Sequence, residues 1–215
     1  NHRIIANGFD TDRYAPHAAA RDEFRQSLGI GDDQFLIGWL GRYHPHKDVA
    51  NMLRAYQIIH HTHPAIKLVM AGKGLSDNNP ALAQTLHELG LSGQVLLLGP
   101  VAAPQTFLQS LDALALSSAT ENFPNVIGEA MATAVPCVAT NVGDCAQLIG
   151  DTGQVVPARS PDPLAAALVA LSTLPRNERA AQAARARARI VADFSIAASC
   201  KAYLQHYQHL LQRGK

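Results

Sequence analysis

The sequence predicts an α/β fold, a doubly wound parallel sheet with helices on both faces. Two observations point there: short β-rich runs that are continuously apolar, and helix-forming stretches inserted between them. A strand with one wet face alternates in polarity, whereas a parallel strand buried on both faces does not. The 215 residues suit one domain, and 47% hydrophobic against 16% charged residues suits a well-buried, helix-rich core.

Taken in order, the polar opening holds a turn-like Asn7-Gly8-Phe9-Asp10 and is assigned no regular element. Strands are expected at 35–40, 66–71, 95–98, 113–116, 137–140 and 154–156. Helices are expected at 49–61, 80–89, 104–109, 125–133, 163–174, 177–192 and 196–211, where apolar residues recur near a spacing of 3.6. Arg185, Arg187 and Arg189 alternate with alanine, which scatters them around a helix and reads as a solvated surface.

Composition limits the partners. A net charge of +1 gives no strong field for nucleic acid or an anionic membrane, so any anion must be held locally. Three cysteines, Cys137, Cys145 and Cys200, without CxxC spacing argue against a disulfide framework or a structural zinc site, and a reducing cytoplasmic setting is expected. No uncharged run reaches the roughly 20 apolar residues of a membrane span. The chain opens inside a turn and without methionine, so further N-terminal sequence is expected to precede it.

Ligands on doubly wound sheets sit beyond the carboxyl ends of the strands. There the segment 117–132 passes from a strand into a helix, with Pro124 expected at the first helical position. The free amides near Asn125 and Val126, with the positive end of the helix dipole, suit a phosphate. Glu121 and Glu129 are eight apart. Phosphate would repel them, so their expected use is accepting hydrogen bonds from sugar hydroxyls, two at a time. The plainer alternative makes Glu121 a helix-terminus charge and leaves Glu129 on a solvated face. After the first long strand, Arg42 and Lys47 stand five apart, a bidentate cation and a mobile point charge that together match a diphosphate and its departure as a leaving group. Two solvated surface cations are the alternative.

These residues resemble the C-terminal domain of a family 4, group 1 glycosyltransferase of the GT-B fold. Glu121 and Glu129 match the E-x7-E pattern, inside a run similar to S-x-x-E-x-F-P-N-V-x-x-E-A-M-A. Arg42 and Lys47 match R-x4-K, and residues 7–10 match N-G-x-D. The resemblance implies a single nucleotide-sugar-binding domain over 1–215, with an acceptor-binding domain before it. It implies that Arg42 and Lys47 hold the donor diphosphate, Glu121 contacts the donor sugar and Glu129 the ribose. It places Gly41, Gly72, Gly74, Leu98, Gly99 and Val101 around the nucleotide. It further implies retention of configuration, no bound metal or other cofactor, and a carbohydrate or lipid-linked acceptor read by the other domain. Bacterial polysaccharide or glycoconjugate synthesis, with peripheral attachment to the inner face of the membrane through the other domain, completes the expectation.

Two departures from the pattern matter. Ala134 stands where glycine is usual before Val135-Pro136, so a different turn is expected there. Gln147 replaces a frequent glutamate, which puts any contact from its loop in doubt. Ten histidines include His44, His46, His60, His61 and His63, but no Cys or Asp pattern completes a metal ligand set. G-x-G-x-x-G, P-loop and G-x-S-x-G motifs are missing at the strand ends, against dehydrogenases, NTPases and α/β-hydrolases. Two alternatives stay open: a sugar-nucleotide epimerase of the same fold, and a non-catalytic nucleotide-binding module. No residue stands out as a covalent nucleophile, so this chain is expected to bind nucleotide weakly and to catalyse nothing alone.

Overall fold

The computed structural model describes residues 4–213. Strands β1 (Phe35–Leu40), β2 (Ile66–Ala71), β3 (Val95–Gly99), β4 (Ala113–Leu116), β5 (Cys137–Thr140) and β6 (Gln154–Val156) form one sheet in the order β3-β2-β1-β4-β5-β6. Every neighbouring pair is parallel. The strand order reverses between β1 and β4, and that switch point opens a crevice beyond the carboxyl ends.

The continuous apolar runs are explained by two separate cores. Along β1, Leu36 joins one buried cluster while Ile37 and Trp39 join the other. Helices α2 (Val49–Thr62), α3 (Pro80–Glu88) and α7 (Pro161–Thr173) cover the Trp39 face. Helices α1 (Ala18–Ser27), α4 (Pro104–Gln109), α5 (Asn125–Ala132), α6 (Cys145–Ile149) and α8 (Arg176–Asp193) cover the other, and α9 (Ile196–Arg213) leads away from α8. Trp39 and Tyr56 are fully buried, and truncating a side chain of that size in a packed core costs about 3–5 kcal/mol.

Two helices fall where no element was expected. Helix α1 is polar because it docks by ion pairs. Arg25, 3% exposed, reaches Asp112 at 2.9 Å and the carbonyls of Gly31 and Gln34, and Arg21 holds the other Asp112 oxygen at 2.8 Å. The same carboxylate accepts the Leu36 amide, so one aspartate ties α1 to β1 and β4. Helix α6 has only five residues, too few to show a period.

The arginine run of α8 is not a solvated face. Arg187 donates to the carbonyls of Ala132, Tyr14 and Thr11, and Arg189 to those of Leu148 and Gln147. Each thereby satisfies carbonyls that a helix end or a loop leaves orphaned, while Arg185 stays exposed. Ala134 adopts the left-handed conformation, φ 56°, so the expected change of turn does not occur. The alanine takes up the glycine geometry at a cost of roughly 1 kcal/mol. Near the start of the chain, Phe9 exchanges two backbone hydrogen bonds with the α8–α9 junction, donating to Phe194 at 2.8 Å and accepting from Ile196 at 3.0 Å.

Candidate functional site

At the carboxyl end of β1 the chain passes Gly41 and Arg42 and makes a 3-10 turn at Pro45–Lys47. Lys47 therefore closes a separate turn, and the expectation that it opens the next helix is corrected: Asp48, with φ 45°, stands between them and caps α2 through the Asn51 amide. The His44 ring caps the turn by accepting the His46 N–H.

Across the switch point, the loop after β4 is pinned from below. Buried Trp39 donates its indole N–H to the Ser117 hydroxyl at 3.0 Å, and Ser117 reaches the carbonyls of Lys47 and Asp48. The Ala119 amide donates to the His46 carbonyl at 2.8 Å, and the Thr140 hydroxyl to that of Ser118 at 2.6 Å. Gly143, with φ 51°, lies so close that a Cβ would sit 2.5 Å from the Glu121 carbonyl oxygen. These supports hold the loop against the turn, and Lys47 Nζ meets Glu121 Oε1 at 2.5 Å. The Ser118 hydroxyl donates to the same oxygen at 2.7 Å.

Arg42, His44, His46, Lys47, Thr120, Glu121 and Asn122 line a cavity of about 360 Å³. Arg42 is exposed and has no ion pair among the described residues. A cavity of about 400 Å³ at the opposite, amino ends of β4 and β5 is mainly apolar, and its Arg21 and Asp112 are already paired with each other. Convergent unsatisfied polar groups mark the first cavity as the binding site.

The remaining expected residues surround this cavity without lining it. Gly41, Gly72 and Gly99 meet backbone to backbone: the Gly72 amide donates to the Gly99 carbonyl at 2.7 Å, and a Cβ on Gly72 would overlap the Gly41 oxygen. Gly74, φ 82°, packs on Tyr43. Leu98 and Val101 are partly buried against the apolar cluster around Leu36. Helix α5 begins at Asn125, so Pro124 takes the capping position and not the first helical one. No side chain caps this end, which leaves the Asn125 and Val126 amides open to a ligand.

Glu129 is half-buried on α5 and not solvated. Burial pushes its carboxyl above the ordinary range, while the Tyr14 hydroxyl and Arg13 pull it back. Burial likewise raises Tyr14, with the Glu129 charge adding to it. The N-terminal motif supplies this arrangement. Asp10 caps the amides of Asp12 and Arg13, and the Phe9 ring lies where a Cβ on Gly128 would go. Gln147 is exposed on α6 and lies outside the cavity. Sequence reasoning missed Tyr14, Thr140, Gly143, His44 and His46, and the glycine after a strand end was the one readable signal among them. Among the described residues no group of three metal-ligating side chains forms.

Residues 34–173, which include both cations and both glutamates, match the family described as glycosyl transferases group 1. The chain belongs to the group 1 glycosyl transferases. Within this family it is 31% identical over 217 residues to the D-inositol 3-phosphate glycosyltransferase of Mycolicibacterium paratuberculosis, covering 97% of this chain and 47% of that protein. It spans between 35% and 47% of the length of the first curated relatives that it matches. The group 1 fold superposes on Anabaena HepE, solved in complex with UDP, with a TM-score of 0.86 and 25% identity over 96% of this chain and 57% of that one. The C-terminal domain of a group 1 protein, LpcC, from Francisella tularensis has the same fold, with a TM-score of 0.76 and 23% identity over 88% of this chain and 100% of that one.

Proposed function

We propose that residues 1–215 form the donor-binding domain of a retaining glycosyltransferase that takes a nucleoside-diphosphate sugar and transfers the sugar to an acceptor hydroxyl. The observation that carries this reading is the convergence of Arg42, Lys47 and Glu121 on one cavity at the switch point. Arg42 and Lys47 neutralise the diphosphate and stabilise it as it leaves, since cations fixed where charge develops act without reorganisation. The α5 amides at Asn125 and Val126 share that charge.

Lys47 and Ser118 both bond Oε1 of Glu121, which leaves Oε2 to accept a hydroxyl of the donor sugar. Glu129, one helical turn deeper, accepts the ribose hydroxyls. The six nucleotide-bordering positions, Gly41, Gly72, Gly74, Leu98, Gly99 and Val101, form the floor at the ends of β1, β2 and β3. The paired state of Glu121 supports this reading over an epimerase, whose carboxylates must be free to move protons. The structures of HepE with UDP and with UDP-glucose support uridine as the donor base. The acceptor is read by a second domain, for which the greater length of the relatives leaves room. Donor binding needs no metal on this reading, and the product belongs to polysaccharide or glycoconjugate synthesis on the cytoplasmic side of a membrane.

Calorimetric titration of the chain with UDP, GDP and ADP, beside an Arg42→Ala/Lys47→Ala double variant, tests the site. UDP is expected to bind tightest, and the double variant to weaken it at least tenfold, about 1.4 kcal/mol. Equal affinities for all three nucleotides, unchanged by the double substitution, would overturn the assignment.

A further inference from the structure

Behind the turn that carries Lys47 lies a second polar cavity of about 290 Å³, lined by Pro45, Asp48, Asn51, Arg54, Ala119 and Arg159. It shares no lining residue with the donor cavity, although Pro45 and Ala119 adjoin His46 and Thr120 of that site. Asn51 is only 3% exposed, yet its side-chain nitrogen has no acceptor among the described residues. A buried donor left unpaired costs about 1–3 kcal/mol, so this amide calls for an acceptor from outside the chain.

The neighbours define that acceptor. Asn51 and Arg54 are three residues apart on α2 and so share one face. Arg159, at the turn between β6 and α7, comes from the opposite wall. Both arginines are exposed, and neither has an ion pair among the described residues. The one carboxylate present, Asp48, is engaged as the α2 cap, its Oδ1 accepting the Asn51 amide at 3.2 Å. Two guanidinium forks and a buried amide against one occupied carboxylate favour a compact dianion rich in acceptor oxygens. At roughly 30 Å³ per water, the volume admits a phosphate group with several waters beside it.

We propose that this cavity binds phosphate, as the free ion or as the end of a phosphomonoester, independently of the nucleotide. Bound there, phosphate bridges Arg54 and Arg159 and accepts the Asn51 amide, clamping α2 to the β6–α7 turn behind Lys47.

The test follows the Asn51 side-chain amide signals of the 15N-labelled chain by NMR, titrated with inorganic phosphate and then with glycerol phosphate at fixed ionic strength, with sodium chloride as control. A saturable shift is expected, weakened at least tenfold in an Arg54→Ala/Arg159→Ala variant and unchanged in Arg42→Ala/Lys47→Ala. Tighter binding of glycerol phosphate would make a monoester the ligand, and equal binding the free ion. No saturable shift, the same shift with chloride, or a titration indifferent to the Arg54/Arg159 substitutions would overturn the site. Loss of UDP binding in the Arg42/Lys47 variant is a separate result and leaves this one standing.

Discussion

Single residues show where composition and conformation part company. Ala134 sits at φ 56°, a conformation that costs an L-residue roughly 1 kcal/mol and that glycine adopts freely. Ala134→Gly is therefore expected to stabilise the chain by up to about 1 kcal/mol, less the entropy glycine adds to the unfolded state, read as a higher urea midpoint. No gain would show that the turn relaxes around the alanine. The sequence marked the departure at Ala134 but not its resolution, because local geometry here is dictated by the packed strand that follows, with Val135 3% exposed. Arg187 teaches the same lesson from the other side. Its spacing describes only where it points from α8, whereas its role depends on orphan carbonyls at Ala132, Tyr14 and Thr11, residues far away in sequence.

At the scale of elements, what repeats was legible and what docks by charge was not. All six strands were readable, because a continuous apolar run leaves a parallel strand few alternatives. Helix α1 was not, since only Phe24 and Leu28 supply its apolar side and Arg21 and Arg25 do the rest. The site loop was readable as a strand-to-helix turn with two glutamates and two cations nearby. Its rigidity was not, for that rests on Trp39, Thr140 and Gly143 from three other parts of the chain. Gly143→Ala should expose this dependence: a Cβ 2.4 Å from the Asn122 oxygen, at positive φ, forces the loop away from Lys47. At least tenfold weaker UDP binding with retained helical circular dichroism is expected. Unchanged affinity would mean that the loop adapts without moving Glu121.

For the molecule as a whole, the two cores hide chemistry that the count of cysteines alone leaves open. Cys137 and Cys145 are buried and Cys200 is exposed. Burial pushes the Cys145 thiol up to about 11, and Cys137 higher still. Since the thiolate is the reactive form, a disulfide reagent at pH 8 should modify one thiol per native chain, and all three in urea. Rapid reaction of a second thiol in buffer would reveal opening of the sheet near β5.

The clasp between Phe9 and the α8–α9 junction has a mechanical consequence. The segment entering at Phe9 and the helix leaving at Ile196 are joined by two hydrogen bonds on one side of the sheet. Tension between those two points is borne by the clasp alone and never crosses the six strands. Pulled from there, the domain moves as an undeformed load, and its site keeps its shape while its orientation changes.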